Sequence, residues 1–446
     1  MCYKWYFRPI KIKIVKLYST KHISPDVDLK TAVLKGLPPD NGLYMPYEIN
    51  ELPPSFFEQL PNMSFNEMAF KVAKNIIGNF ISDENLKEII AESYDFDAPL
   101  VILDEIGVLE LFQGPTLAFK DFGARFMGRL MGYFLKGNTD EVNILVATSG
   151  DTGSAVAHGF YKVPNIKVCI LYPKDKVSDI QEKQFTTLGH NITAIEIDGT
   201  FDDCQALVKT AFLDEELNNK MTLSSANSIN IARLIPQSFY YFWAYKQLEN
   251  KSLPLNFCIP SGNFGNLTAG LFAKKMGLPI HKLIAATNSN DIFTKYLQTG
   301  NFAPRPSVST ISNAMDVGNP SNFYRVLDFY KNDYSLLKEN IAAYSFDDEA
   351  TAETIKFVFQ KYNYEICPHT AVAYLGMKAY LKENLGESNN IILATAHPIK
   401  FGEIVEPIIG HTPEMPERLK SAIGSTKLSI PMKNDFSVFK NWLINK

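Results

Sequence analysis

Two loops rich in glycine and small polar residues have the composition of anion-binding sites. One is Thr148-Ser149-Gly150-Asp151-Thr152-Gly153-Ser154, and the other is Ser261-Gly262-Asn263-Phe264-Gly265-Asn266. Each follows an apolar run and precedes a helical pattern, and glycines there let successive N–H groups converge on one anion. Neither loop matches a Walker A or a dinucleotide-binding motif. A tight strand–helix connection would explain either loop alone, but the presence of two favours phosphate binding.

A third candidate for anion binding is Ser225-Ala226-Asn227-Ser228, followed by Arg233. We expect Asn227 and Ser228 to cap a helix over residues 229–248 that is kinked at Pro236. Because helical side chains lean toward the helix N-terminus, Arg233 would reach the anion position beside these caps. Capping alone would explain the two polar residues, so the arginine is what favours a second phosphate pocket.

Lys120 lies between Phe119 and Phe122, where a Gly-Pro turn leads into a helical pattern. Apolar neighbours lower the pKa of an amine and make it a nucleophile for carbonyl groups. A solvated surface lysine is the alternative. Thr395 follows the last apolar run, where its hydroxyl could bond a heterocycle nitrogen, and His397 is predicted to be structural.

The composition excludes several classes of protein. The 446 residues include 44 basic and 48 acidic side chains, which give a net charge of −4. The chain therefore has no overall positive charge that would attract nucleic acid or an anionic membrane. No apolar run reaches the roughly 18 residues that a membrane span needs. The five cysteines form no disulfide or metal-ligand spacing, so we expect no metal and a reducing, cytoplasmic location.

Short apolar runs alternate with helical patterns from about residue 100 onward. The runs lie at 100–103, 143–147, 167–172, 192–197, 257–260, 282–287 and 390–394. Helical patterns lie at 65–81, 122–135, 203–217, 229–248 and 267–276. Strands separated by helices are typical of parallel βαβ units, and continuous apolar runs are typical of strands buried on both faces. The pattern predicts an α/β fold with more than one sheet and a ligand site at the carboxyl ends of the strands.

The ordered motifs resemble those of threonine synthases, which are pyridoxal-phosphate enzymes of fold type II. The matching segments are Leu17-Tyr18-Ser19-Thr20, 114–122, 147–154, 261–267, 313–318, 368–373 and 394–401. The longer subfamily of fungi and enteric bacteria is the most similar. The resemblance implies a tryptophan synthase β-like fold, with an N-terminal region at 17–100 and two parallel-sheet α/β domains at 101–221 and 222–446. Residues 1–16, which the family pattern does not require, are expected to be a disordered or non-native extension.

The resemblance also implies the reaction. O-phospho-L-homoserine and water would become L-threonine and phosphate by γ-elimination and β-addition of water. Lys120 would hold pyridoxal 5′-phosphate as a Schiff base and then move protons at Cα and Cβ. No nucleic acid or membrane partner is expected, and the resemblance favours a monomer.

The family motifs imply the following binding roles. The cofactor phosphate would lie on Gly262, Asn263, Phe264, Gly265 and Asn266, and Thr395 would face the pyridine nitrogen. The substrate carboxylate and the hydroxyl side of the cofactor ring would lie on Thr148, Ser149, Asp151 and Thr152. The substrate phosphate would lie on Asn227, Ser228 and Arg233.

Two other functions stay open at this level. A phospholyase that releases 2-oxobutyrate from phosphohomoserine would keep Lys120 and both phosphate sites but would handle water and protons differently. A non-catalytic phosphometabolite-binding protein would be expected to lack the lysine or to have a broken loop, and neither change is present.

Overall fold

Two α/β sheets carry the strands that the apolar runs predict. The structure, a computed structural model, describes residues 16–139 and 141–446. Of the expected extension at 1–16, all but Lys16 lies outside the described residues. The strands are β1 (Lys16–Ser19), β2 (Val27–Asp28), β3 (Tyr44–Pro46), β4 (Leu100–Leu103), β5 (Ile106–Glu110), β6 (Val142–Ala147), β7 (Ile166–Pro173), β8 (Ile192–Asp198), β9 (Thr222–Ser225), β10 (Leu255–Pro260), β11 (Ile280–Thr287), β12 (Ile341–Ser345), β13 (Asn389–Ala394) and β14 (Ser429–Lys433).

Helices connect and cover these strands. They are α1 (Leu29–Lys35), α2 (Pro54–Gln59), α3 (Phe65–Ile77), α4 (Asp83–Ser93), α5 (Lys120–Leu135), α6 (Asp151–Phe160), α7 (Asp179–Thr186), α8 (Phe201–Leu213), α9 (Glu215–Lys220), α10 (Ile231–Leu234), α11 (Phe239–Lys246), α12 (Gly265–Lys275), α13 (Ile292–Thr299), α14 (Phe323–Phe329), α15 (Tyr334–Asn340), α16 (Asp348–Tyr362), α17 (Pro368–Glu383), α18 (Gly402–Ile409), α19 (Glu417–Ile423) and α20 (Phe436–Asn445). Short 3-10 helices lie at Leu60–Asn62, Ile235–Ser238, Asn313–Met315 and Pro398–Phe401. Within the described ranges, none of these helices is long and apolar enough to cross a membrane.

The helix ends follow local sequence chemistry. Helix α3 begins after Ser64, whose hydroxyl accepts the backbone N–H of Glu67 while the Glu67 carboxylate accepts the N–H of Ser64. The helix stops at Ile77, short of the expected 65–81, because Gly78 turns the chain with a φ of 62°. Glycine adopts this left-handed conformation without the steric cost that other residues pay.

The two large sheets are mainly parallel. One has six strands in the order β12-β11-β10-β13-β5-β4, in which only the edge strand β4 is antiparallel to its neighbour. The other has five parallel strands in the order β14-β8-β7-β6-β9. A small antiparallel sheet, β2-β1-β3, belongs to the N-terminal region. The predicted α/β fold with two parallel-sheet domains and an N-terminal region is confirmed.

Each large sheet combines distant parts of the chain. Strands β4 and β5 join the six-stranded sheet through β13, whereas β9 and β14 join the five-stranded sheet. The contiguous ranges 101–221 and 222–446 therefore do not coincide with the two sheets. An alternation of strands and helices identifies the elements, but it does not say which strands pair across a long sequence separation.

The loops after β6, β9, β10 and β13 leave the carboxyl ends of parallel strands. In open α/β sheets ligands bind beyond these ends. The four loops carry the residues singled out in the sequence. The fold therefore places them where a ligand site is expected.

Candidate active site

Lys120 is the first residue of α5, and the carboxylate of the next residue fixes the turn before it. Asp121 accepts hydrogen bonds from the backbone N–H and the hydroxyl of Thr116, both at 2.8 Å. A Cβ at Gly114 would lie 2.4 Å from the Asp121 carboxylate, so a larger residue does not fit without displacing it. Burial raises the pKa of Asp121 to about 6. The turn therefore presents Lys120 on a rigid support.

The side-chain nitrogen of Lys120 lies in a mostly dry environment. It is 3.4 Å from a carboxylate oxygen of Asp151 and 5.2 Å from the centroid of the Phe119 ring, with 16% of the side chain exposed. Burial lowers the pKa of Lys120, Asp151 partly opposes this, and the charges of Lys400 and Arg233 lower it further. More of the neutral, nucleophilic amine is then present. The alternative of a solvated surface lysine is thereby excluded.

Asp151, the first residue of α6, contacts two lysines. Its Oδ1 lies 2.8 Å from Lys400 Nζ and accepts the Gln181 amide at 2.8 Å, while Oδ2 faces Lys120. Burial alone would raise the pKa of Asp151, but the charges of Lys400 and Lys120 outweigh it and hold this pKa well below its usual range. The carboxylate is therefore ionised at neutral pH, and both oxygens are occupied.

The loop between β6 and α6 is shaped by its own residues. The Thr148 hydroxyl accepts two backbone N–H groups of the loop, at 2.8 and 3.0 Å. Gly150 has a φ of 139°, and a Cβ there would lie 2.4 Å from the Gln181 side chain. Ser149 and Thr152 are half-buried. One of the two N–H groups that Thr148 accepts belongs to Gly153, the third residue of α6, whereas those of the first two residues, Asp151 and Thr152, have no intrahelical partner.

The loop between β10 and α12 forms a second uncapped helix start. Phe264 is buried in a left-handed conformation with a φ of 58°, and its side chain provides no cap. The Asn266 amide donates to the Pro260 carbonyl at 2.9 Å and ties the loop to its strand. A Cβ at Gly262 would lie 2.8 Å from the Met315 backbone, so this glycine permits a close approach. Helix starts of this kind bind anions.

Asn263 and Ser228 bring the two predicted phosphate sites together. The Asn263 amide donates to the Ser228 hydroxyl at 2.7 Å, and its carbonyl accepts the Ser321 backbone N–H at 2.6 Å. A Cβ at Gly265 would lie 3.5 Å from Ser228 Cβ. The loop 261–266 and the segment 225–228 are therefore direct neighbours.

Asn230 caps the helix that carries Arg233, so the prediction of caps at Asn227 and Ser228 is wrong. The Asn230 side chain accepts the backbone N–H of Ala232 at 3.0 Å. The helix begins further along the chain than expected because residues 227–230 form a turn closed by a backbone hydrogen bond of 3.1 Å. The helix expected at 229–248 with a kink at Pro236 is interrupted at that proline, and it consists of α10, a 3-10 turn and α11. Proline in that 3-10 turn lacks the N–H that an α-helix needs.

Arg233 is a buried cation that forms no ion pair with the described residues. One terminal nitrogen donates to the Ala226 carbonyl at 2.5 Å, but Nε has no hydrogen-bond partner in the described part of the chain. Burial lowers the pKa of Arg233 to about 10, which still leaves it charged at neutral pH. The amide oxygen of Asn227 is also buried and unpaired. Since an unpaired buried charge is costly, Arg233 fits an anionic ligand.

Thr395 is held beside Lys120 by backbone pairing between two distant segments. The Thr395 carbonyl accepts the Phe119 N–H at 2.9 Å, and the His397 N–H donates to the Leu117 carbonyl at 3.0 Å. His397 Nδ1 accepts the N–H of Ile399 at 3.2 Å, as befits the structural histidine expected. The residue after β13 and the residue before Lys120 are thus adjacent.

Three buried side chains of the site were not predicted, namely Lys400, Gln181 and Arg325. Arg325 donates to the carbonyls of Ile229 at 2.7 Å and Tyr44 at 3.0 Å. It therefore joins the N-terminal region to the segment that leads to Arg233. The available signals were weak, since Lys400 and Arg325 are single cations in otherwise apolar runs.

The fully buried charges of the described residues include more cations than carboxylates. They are the carboxylates Asp121 and Asp151 and the cations Arg233, Arg325 and Lys400, with Lys120 beside them. Phosphate groups would balance this excess, and the uncapped starts of α6 and α12 add N–H donors. The site therefore fits pyridoxal 5′-phosphate, which needs an amine for its aldehyde and donors for its phosphate.

Family comparison identifies the class. The family described as "Pyridoxal-phosphate dependent enzyme" matches residues 104–395, which include Lys120, the loops after β6, β9 and β10, and Thr395. The chain is thus a pyridoxal-phosphate-dependent enzyme of fold type II. "Threonine synthase N terminus" matches residues 16–94, and "Threonine synthase, C-terminal" matches residues 370–442.

Full-length relatives identify the particular family. The chain is 43% identical to threonine synthase of Escherichia coli K12 over 433 residues, which cover 97% of this chain and 100% of the relative. The solved E. coli enzyme has a TM-score of 0.89 and covers 96% of this chain and 99% of its own. A PLP-bound threonine synthase from Brucella melitensis, 34% identical, has a TM-score of 0.90 with 97% and 99% coverage. The chain belongs to the threonine synthase family and is a pyridoxal-phosphate-dependent lyase of threonine biosynthesis.

Proposed function

We propose that this chain converts O-phospho-L-homoserine and water into L-threonine and inorganic phosphate, with the cofactor held at Lys120. One observation carries the proposal. A mostly buried amine, Lys120, lies in the field of Arg233, a buried cation without an ion pair among the described residues, and the segment before Arg233 contacts the loop that starts α12. Cofactor and substrate each bring one phosphate, so the reaction requires two anion sites and one amine.

For the cofactor, we assign Lys120 to the aldehyde carbon and the start of α12 to the phosphate. The phosphate ligands would be the backbone and side chains of Gly262, Asn263, Phe264, Gly265 and Asn266. The Thr395 hydroxyl would face the pyridine nitrogen. When bound, the cofactor accepts the electron pair left by a C–H bond that breaks beside the substrate amine.

For the substrate carboxylate, we assign Ser149, Thr152 and the first N–H groups of α6. Thr148 would act by shaping this loop, because its hydroxyl already accepts two loop N–H groups. Asp151 would face the cofactor's hydroxyl side and Lys120 rather than the substrate carboxylate, because two carboxylates repel each other and both Asp151 oxygens already face cations.

For the substrate phosphate, we assign Asn227, Ser228 and Arg233. A guanidinium forms paired, directional hydrogen bonds with phosphate oxygens. Nε of Arg233 is buried beside Gly123 without a hydrogen-bond partner among the described residues, so the protein alone does not satisfy this guanidinium. Its charge would also stabilise the phosphate as negative charge grows on the departing oxygen.

Lys120 would also carry the protons. In the net reaction the Cγ–O bond breaks and phosphate leaves, Cβ loses a proton and bonds to the hydroxyl of water, Cγ gains a proton, and the remaining proton of water goes to the released phosphate. A neutral amine at Lys120 can take a proton from Cα, then one from Cβ, and return protons later. Its lowered pKa favours this base form, and its partly buried position limits competition from bulk water.

Product analysis tests the proposal. The purified chain with the cofactor should release equal amounts of threonine and phosphate from O-phospho-L-homoserine. Formation of 2-oxobutyrate in place of threonine would instead identify a phospholyase, and binding without turnover would identify a phosphometabolite-binding protein. The cytoplasmic location and the monomeric state stay predictions.

A further inference from the structure

Lys400 contacts the active-site carboxylate from the side opposite Lys120. Its Nζ lies 2.8 Å from Asp151 Oδ1 and donates to the Thr116 carbonyl at 2.7 Å. Its side chain has no exposed surface. Lys400 therefore connects the carboxylate that faces Lys120 with the turn that precedes Lys120.

The contact distances show that the two lysines do not share Asp151 equally. The Lys400 contact is 2.8 Å, whereas the Lys120 contact is 3.4 Å. Coulomb attraction falls with distance, so the carboxylate serves mainly as the counter-ion of Lys400. Lys120 is left with only part of the stabilisation that a dedicated carboxylate would give its protonated form.

Pairing of Asp151 does not by itself require a second lysine. Gln181 already donates to the same oxygen at 2.8 Å, and Lys120 faces the other. A fully buried ammonium carries a large desolvation penalty, which an apolar side chain would avoid. Lys400 is therefore costly for the fold unless its charge serves the site.

We propose that Lys400 is a positioning residue that holds Asp151 as its own counter-ion and so weakens proton binding by the Lys120 nitrogen. This inference rests on the proposed function, which makes that nitrogen both the cofactor anchor and the base. Without Lys400, Asp151 would become the dedicated counter-ion of Lys120 and would hold a proton there more tightly.

Other charged or titratable groups also face this pair. Lys120 is influenced by Asp151, Lys400 and Arg233, and the field of Lys400 also reaches Asp121, His158 and His397. His369 lies in the field of Asp151 and Lys120, and burial lowers the pKa of His369 to about 4, so this imidazole is neutral at pH 7. The variants below leave all of these groups except Lys400 unchanged.

The test compares Lys400→Met and Lys400→Gln holoenzymes with the wild type. Methionine removes the charge and the donor, whereas glutamine removes the charge but keeps a donor for Asp151 or Thr116. The visible spectrum of the lysine-bound cofactor is titrated against pH, because it reports protonation of the Lys120 nitrogen. We expect both variants to raise the midpoint by about one pH unit, which is about tenfold in proton affinity.

The pH profile of kcat gives a second reading of the same nitrogen. Its acid limb reports groups in the enzyme–substrate complex, where Lys120 acts as a base. We expect this limb to move to higher pH by a similar amount, with KM unchanged.

Lys440→Met is the matched control, because Lys440 also contacts two carboxylates, at 2.8 and 2.9 Å, but lies on α20 outside the site. It should leave both readings unchanged.

The outcomes separate the inference from the proposed function. Unchanged midpoints in both Lys400 variants, or a shift in Lys400→Met alone, would overturn the inference, since the second result would mean that hydrogen bonding and not charge matters. If Lys400→Met does not fold, the Lys400→Gln result decides. A wild-type protein without a lysine-bound spectrum would overturn the proposed function instead.

Discussion

Gly128 and Gly159 put the backbones of α5 and α6 in direct contact. A Cβ on Gly128 would lie 2.2 Å from the Gly159 carbonyl oxygen, and one on Gly159 would lie 2.6 Å from the backbone of Ala124. Lys120 and Asp151 are the first residues of the same two helices. The glycine contact therefore helps to set the distance between the amine and the carboxylate.

Gly159→Ala should force these helices apart. A methyl group has no room against rigid backbone, and overpacking of this kind costs about 1–3 kcal/mol of stability. We expect urea-induced unfolding to show that loss, together with weaker cofactor retention because Lys120 and Asp151 separate.

Gly132→Ala is the matched control for this contact. Gly132 also lies in α5, but a Cβ there would meet only a side-chain methyl of Val163, at 3.0 Å. This variant should stay near wild-type stability. If Gly159→Ala were as stable as Gly132→Ala, the backbone contact would not be what spaces the two helices.

His158 should make the protein less stable in acid. Its Nε2 lies 3.0 Å from the Gln184 carbonyl, and burial lowers the pKa of His158 to about 4. In the unfolded chain a histidine titrates near pH 6.5. Between about pH 6.5 and pH 4 the unfolded chain thus binds more protons, so stability falls as the pH falls.

His158→Gln tests this dependence, because a glutamine amide can donate to the same carbonyl without titrating. We expect the free energy of unfolding to fall by about 2 kcal/mol less than in the wild type between pH 7 and pH 4.5. Urea titrations at each pH measure this free energy of unfolding. His281→Gln, at an exposed side chain, is the control and should follow the wild-type curve. Parallel curves for His158→Gln and the wild type would contradict the assignment.

The two glycine-rich loops were predictable because their signals are local. Strands β6 and β10 are almost wholly buried and read as continuous apolar runs, and each precedes a glycine-rich loop and a helix. Parallel-sheet geometry then places both loops at carboxyl ends. Local sequence thus carries the position of these loops.

The buried cations behind the loops were not predictable, because their contacts are long-range. Lys400 meets Thr116 across 284 positions, and Arg325 meets Tyr44 across 281. A lone cation in an apolar run carries no sign of such a partner. The cap at Asn230 was misplaced for a different reason: Asn227 is an equally good capping residue, and only the turn between them decides.

Lys120→Ala should lose the lysine-bound cofactor spectrum and threonine formation but keep its fold. Asp151 would still be paired with Lys400 and Gln181, so no buried charge is left without a partner. Absorbance, product analysis and a urea titration on one preparation test all three points. Lys162→Ala, at an exposed lysine, should behave as wild type. A Lys120→Ala protein that keeps the spectrum and activity would show that another residue anchors the cofactor.

Arg233→Lys should lower the catalytic efficiency toward phosphohomoserine while leaving the cofactor content unchanged. A lysine carries the charge but cannot reproduce the paired hydrogen bonds of a guanidinium to phosphate. These bonds should strengthen as the phosphate leaves, so kcat/KM should fall on the order of 10²-fold, or about 2.7 kcal/mol at 1.36 kcal/mol per decade. Cofactor titration and phosphohomoserine kinetics on the same preparation measure both effects.

Arg305→Lys provides the comparison for Arg233→Lys. Arg305 is partly exposed and already bonded to Asp291 at 2.6 Å, so its replacement should leave kcat/KM near the wild-type value.

The Asn263–Ser228 hydrogen bond makes the two proposed phosphate sites neighbours, so the alternative to test is that their roles are exchanged. It predicts the opposite result for Arg233→Lys: poor cofactor retention with normal kinetics per bound cofactor. That result would assign the cofactor phosphate, not the substrate phosphate, to Arg233.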